Sequence, residues 1–323
     1  MKKNNAFTRD FFRRHVDFSS SGNLLVYLAV ILVLFSACAR KMSIEEAKQV
    51  TVSMSEKPFI PPPRRIDDIL SILDQPGQFD VEVIDKNIAI ANASPPDIED
   101  PLQLIKFYSK RGHFARELGR YKQNLEDLRT ALSYAENEKG ERVSVLKPKR
   151  YAFILTKVAH AEGIAGNLIQ AINLLEKSLE VHPRSLTYVL LAFLYWEMGD
   201  FQSAEKMVNA GIKFCDKWLS SSELAPQNRN NLENKRANLQ AKSLEYKSKY
   251  IEAEVYRRLT VENLSISLGQ EKAVFKGYIN HRENLTLNLA HQGHLLEAEL
   301  EARETLKETI MHTGKFSGAT AAG

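Results

Sequence analysis

Cysteine is nearly missing from this sequence: there are two in 323 residues, Cys38 and Cys215. Two cysteines cannot build a disulfide framework, and neither has a second thiol or a histidine pair at zinc spacing. Glycine and proline are scarce as well, 15 and 11, which excludes collagen-like and low-complexity architectures. Charge of one sign is also lacking. The formal net charge is +4, but residues 1–37 hold five Lys/Arg against two acids and carry +3, leaving +1 on everything after them. A body so close to neutral gives no electrostatic footing for nucleic acid. Hydrophobic residues make up 44% and charged ones 26% of the chain, as in an ordinary globular protein and unlike a disordered one.

Motifs for catalysis are lacking too. No phosphate-cradling loop, His-Glu-x-x-His, nucleophile elbow or dinucleotide fingerprint occurs, and Gly314-Lys-Phe-Ser-Gly318 lacks the spacing of a P-loop. His291 and His294 flank a turn, with His281 upstream and His312 downstream. They read as solvated turn histidines rather than metal ligands. Cys215 reads as a small apolar residue near a helix end, and Glu136–Arg142 as a solvated loop. The expectation is a protein that is not an enzyme, with no cofactor and no metal.

What the sequence does contain begins at the amino terminus. A basic stretch is followed by twelve unbroken apolar residues, Leu24 to Phe35. As a helix they would rise about 18 Å, short of the roughly 30 Å hydrocarbon core but long enough for a signal-peptide apolar region. The run ends in Leu34-Phe35-Ser36-Ala37-Cys38, which resembles the lipobox of bacterial lipoproteins. That resemblance implies a signal peptide over residues 1–37, palmitate-type lipid on Cys38, and Ala39 as a pointer to the outer membrane, facing the periplasm. A single-span inner-membrane anchor is the alternative. Residues 38–101 read as a tether with short helices. The run Pro61-Pro62-Pro63 favours an extended, semi-rigid tether; one helix spans Ser43 to Met54, one Ile66 to Leu73 before Gln75-Pro76-Gly77, and one weak helix with a linker lies within 78–100.

From Leu102 the apolar period is 3.6 almost throughout. Aligning the chain with itself sets Gly119-Arg-Tyr121, Gly166-Asn-Leu168, Gly199-Asp-Phe201, Ser248-Lys-Tyr250 and Gly293-His-Leu295 between helical stretches. Four are followed three residues later by Ala171, Ala204, Ala253 or Ala298, and Asn124 takes that place in the first. A small turn residue permits a tight reversal, a small residue one turn later lets two helices approach, and the large residue after the turn fills the gap. Pro183 breaks one second helix before the next unit.

These residues resemble the tetratricopeptide repeat. The best copy has Tyr188, Leu191, Ala192, Tyr195, Gly199, Phe201 and Ala204 on signature places, whereas the copy before it has Glu162 where an aromatic is expected. The resemblance covers residues 102–312. It implies an all-α, right-handed superhelical solenoid of antiparallel helix pairs over 102–323, with about five repeats and a continuation beyond the chain end. In that fold the first helix of each pair lines a concave groove. By the family's pattern the groove residues are His113, Arg116 and Glu117, then Thr156 and His160, then Val189, Phe193, Trp196 and Glu197, and finally Asn238, Lys242, Glu245 and Tyr246. Phe193 and Trp196 beside Glu197, with His160 and Lys242 at the flanks, would make an apolar pocket suited to a peptide or helix. The lysine–asparagine carboxylate clamp of chaperone-binding members is not recognisable, so a chaperone tail is not the expected ligand.

The reading is a lipid-anchored repeat scaffold that binds a protein or peptide and no nucleic acid. A rival comes from Pro62 to Gln75 together with Phe107 to Arg120, which resemble the front end of repeat proteins carrying a caspase-like CHAT domain. On that view the chain is the recognition part of such a peptidase, without its catalytic domain.

Overall fold

Helix follows helix along the chain. The computed structural model describes residues 42–56, 65–74, 81–222, 224–268 and 275–313, which lie within a single unit. Among them are thirteen helices and one isolated bridge, between Glu136 and Arg142. Cys38, the apolar run before it and Pro61-Pro62-Pro63 lie outside the described residues. No described helix is long and apolar enough to cross a membrane.

Three short helices come first: α1 (Ile44–Glu56), α2 (Ile66–Leu73) and α3 (Val81–Ala91). Ten longer ones form five hairpins: α4 (Pro101–Glu117) with α5 (Tyr121–Ala135), α6 (Pro148–Ile164) with α7 (Leu168–Val181), and α8 (Ser185–Glu197) with α9 (Phe201–Leu219). α10 (Pro226–Glu245) with α11 (Tyr250–Leu268) and α12 (Phe275–His291) with α13 (Leu295–Thr313) complete the series. Each hairpin packs on the next, which makes the fold an all-α solenoid of antiparallel helix pairs. Proline opens α4, α6 and α10, where its missing N–H leaves no intrahelical bond unmade.

The five turns share one geometry. Gly119, Gly166, Gly199, Ser248 and Gly293 all have positive φ, between 56° and 84°. In each, the next residue donates its N–H to a carbonyl five positions back: Arg120 to Ala115, Asn167 to Glu162, Asp200 to Tyr195, Lys249 to Leu244 and His294 to Leu289, at 2.8–3.0 Å. This pairing satisfies carbonyls that the helix end would otherwise leave open. Ser248 holds φ 56° with a Cβ in place, a conformation that costs an ordinary residue about 1–2 kcal/mol.

Departures from the repeat pattern are compensated locally. Asn124 is buried and its Nδ2 donates to the Gly112 carbonyl at 2.8 Å, so it ties the first hairpin where alanine would only fill it. Asp127 beside it takes two bonds from Arg111 Nε, at 3.1 and 3.0 Å. Glu162 is buried where an aromatic was expected, and Arg129 meets it with two bonds of 2.7 and 2.8 Å while Asn167 adds a third. At Gly211 an added Cβ would come within 2.7 Å of Leu239 and 2.8 Å of Tyr188, so α9 can lie that close to its neighbours only without a side chain there.

The short helices match their expected spans and dock on the solenoid. α1 packs on α11, α2 on α13 and α3 on α4, so the segment expected to be a tether is laid against both ends of the hairpin series. The Glu136–Arg142 loop is also held: the Glu136 carboxylate accepts from Tyr151 at 2.6 Å and from Lys177 at 2.8 Å. The main hydrophobic core lies in the first three hairpins, around Ile105, Leu155, Leu175 and Leu191, with a smaller one around Val208, Cys215 and Leu239. Cys215 is buried there, and burial pushes its thiol up to about 11, so it stays a neutral packing residue.

Candidate functional site on the first helices

The first helices pack side by side, α6 on α8 and α8 on α10, so their residues at spacings of three and four form a shared face. The two ends of this face also meet. Lys276 of α12 makes an ion pair with Glu117 of α4, although 159 residues separate them. His113 lies 3.9 Å from the same carboxylate.

Around hairpins one and two the face is aromatic and cationic. Phe153 is 42% exposed, with Lys157 Nζ 4.8 Å and the Arg184 guanidinium 5.1 Å from its ring centroid. His160 is half-buried, and burial, aided by the charges of Arg116 and Lys276, pushes it down to about 4. His113 is lowered for the same main reason, against the pull of Glu117. Both imidazoles are therefore weak bases beside fixed cations. Phe193 of α8 is 45% exposed, and Glu197 is exposed one turn on.

Around hairpins three to five the face is aromatic and recessed. Trp196 stacks parallel on Tyr246, with centroids 4.0 Å apart and planes 5° from parallel, and meets Phe201 at 4.5 Å. Tyr246 donates its hydroxyl to the Ala192 carbonyl at 3.1 Å. Trp196, Lys242, Glu245 and Tyr246 line a cavity of about 180 Å³, closed from the other side by Leu287 and His291. His291 in turn stacks on Tyr250 at 4.9 Å. That volume is below the range of small-molecule pockets and suits a single side chain. Trp196 thus belongs to the cavity wall and to the inter-repeat contact at once.

Two expected groove residues are not on the surface. Asn238 is buried, and its Oδ1 accepts from Arg257 Nη1 at 2.5 Å. Thr156 is buried as well, bonded to the Ala152 carbonyl at 2.9 Å and to Ser178 at 3.0 Å. In both cases a partner from a second helix claims the polar group, which the spacing of a first helix alone does not reveal. Glu245 lines the cavity but its charge is taken up: Arg257 donates at 2.8 and 2.6 Å, Asn288 at 3.3 Å, and Lys242 lies 3.3 Å away. Burial alone would raise this carboxyl, yet Arg257 and Lys242 bring it below its ordinary value. Burial lowers Lys242, with Arg257 adding to the effect.

Sequence reasoning missed Phe153, Lys157, Arg184, Leu287 and Lys276. The first two were accessible, since they lie seven and three residues before His160 on one helical face. Lys276 was not, because its neighbours come from the opposite end of the chain. Among the described residues no cluster of His, Cys, Asp and Glu could hold a metal ion.

Residues 186–215, which span most of α8 and α9, match the family model described as tetratricopeptide repeat. The chain is similar in structure to the nearly identical TPR-like repeats named for a kinesin light chain of Podosopora anserina, at 16% identity and TM-score 0.39, over 66% of this chain and 98% of that one. It is also similar to BtubC (BKLC) of P. vanneervenii, at 14% identity and TM-score 0.40, over 76% and 90%. A third similar structure is the MamA protein, at 13% identity and TM-score 0.32, over 64% and 92%. No curated protein matches the sequence significantly.

Proposed function

We propose that this chain is a scaffold that holds another protein against the face of its first helices and is attached to a bacterial membrane by lipid on Cys38. The observation that carries the binding half is the exposure of Phe153 and Phe193 on the first helices, Phe193 lying one helical turn from Trp196, which with Tyr246 walls a cavity of side-chain size. Large rings left in water beside a recess are what a partner's side chain can cover. The anchoring half rests on the Leu24–Cys38 segment alone, and with it the assignment to the cell envelope, at the outer membrane facing the periplasm or as an inner-membrane span.

A photo-crosslinking amino acid placed at Phe193 in living cells tests the binding face. Discrete adducts are expected there and not from Lys213, which is exposed on the second helix α9. The same adducts from both positions, or none from either, would reject the assignment. Palmitate labelling tests the anchor, and Cys38→Ser should abolish it; labelling that persists in that variant removes lipidation from the reading.

A further inference from the structure

The cationic end of the face has more positive charge than the fold uses. Lys157 and Arg184 share the Phe153 ring, and neither has an acidic partner among the described residues. The Arg184 Nη1 atom is shielded from solvent and has no hydrogen-bond partner among those residues. Its half-buried guanidinium is lowered by burial, with no carboxylate to offset that cost. Arg116 joins the same field, acting on both Lys157 and His160. Lys276 adds a fourth cation, and Glu117, which pairs with it, is the acid set among them. Like charges so placed repel one another, and a desolvated cation without a partner costs free energy. Elsewhere this chain pairs its half-buried arginines closely: Arg111 with Asp127, and Arg258 with Glu254 and Glu297.

We propose that Lys157 and Arg184 over Phe153, with Arg116 beside them, seat an acidic stretch of a partner protein. This inference rests on the scaffold reading above and names the chemistry of what the face holds. Carboxylates would complete the hydrogen bonds that the guanidinium and ammonium groups lack, and aliphatic side chains between them would cover Phe153 and Phe193. Nucleic acid fits less well. A phosphate backbone needs a continuous basic track, whereas Glu117 and Glu197 stand on this face and residues beyond 37 carry a net charge of only +1.

The test uses the full chain in detergent micelles and a fluorescent peptide of repeated Glu-Glu-Leu, followed by anisotropy. Its Gln-Gln-Leu counterpart should bind about tenfold more weakly or worse. Arg184→Gln and Lys157→Gln should each weaken the acidic peptide by about tenfold, Arg184→Lys should restore most of the loss, and Lys213→Gln should change nothing. Unchanged far-UV circular dichroism of Lys157→Gln shows that its loss is not unfolding, whatever the fate of the Arg184 variant. Equal affinity for the two peptides, or charge variants that bind as wild type, overturns the inference. So does displacement of the acidic peptide by an RNA oligonucleotide at lower concentration than by the unlabelled peptide. Should Phe193 crosslink a partner while the peptides show no charge preference, the acidic chemistry falls and the scaffold reading survives. Binding of the acidic peptide without any crosslink would break the scaffold reading alone.

Discussion

The first three hairpins and the last two are built from different materials. In the first three, a continuous core of aliphatic side chains runs from Ile105 to Leu194. In the last two, the middle is occupied by charge. Arg257 is 1% exposed and holds Glu245 and Asn238. Arg258 joins Glu254 to Glu297, Gln292 joins Glu254 to Asn288, and Arg282 meets Glu301 and Glu308. Apolar burial there is more scattered: a small cluster surrounds Leu285, Leu289 and Ala298, while Leu239, Ala253, Ile279 and Ile310 are buried apart from it. The same repeat geometry is thus held mainly by volume in one half, which tolerates approximation, and more by ion pairs in the other, which require every partner.

That contrast is open to direct attack. The largest effect is expected from Arg257→Leu, which takes the buried guanidinium away from half-buried Glu245 and leaves that carboxylate only Lys242 and Asn288. Stability should fall by about 3–5 kcal/mol, read by urea denaturation, with hydrogen exchange showing the loss in hairpins four and five first. The double variant Arg257→Leu, Glu245→Leu should recover much of it, and a double variant as damaged as the single one would show that the pair does more than cancel charge. In the aliphatic half, Leu175→Ala should cost about 2–5 kcal/mol through the cavity it leaves. Its midpoint should not depend on salt, and a strong salt dependence would blur the distinction between the halves.

Acid should sharpen it further. Burial, helped by Lys235 and Arg257, pushes His281 from 6.5 down to about 3, and its buried Nδ1 has no hydrogen-bond partner among the described residues. A folded value below the unfolded one means that the unfolded chain binds the extra proton. The stability that His281 contributes is complete above about 6.5 and declines as pH falls toward 3. Glu245, held below its ordinary 4.5, adds a loss at lower pH still. His281→Gln should flatten the slope of stability between pH 6.5 and 4.5, and an unchanged slope would mean that the imidazole is not shielded. The smallest effect is expected at the turns: Ser248→Gly should stabilise hairpin four by about 0.5–1 kcal/mol, seen as a small rise in Tm.

How much could be read beforehand follows the same division. Turn positions, hairpin boundaries, the short leading helices and the burial of Cys215 were all accessible, because each depends on residues within one or two helical turns. Glu162 and Asn124 stood out as departures, but their meaning depended on Arg129 and Gly112, 33 and 12 residues away. Asn238 was misplaced for a related reason. Its position on α10 is a groove position by spacing, yet Arg257 from α11 reaches in and claims it.

The sequence by itself determined that this protein is a row of helix pairs, since a 3.6 apolar period and a small residue at each reversal are local properties that any stacked neighbour can satisfy. Only the tertiary structure decided which polar side chains are spent inside and which are left to bind. Whether a charge is paired depends on what the next helix, or one 159 residues further on, brings within 4 Å, and Coulomb energy at that range outweighs anything encoded along a single face.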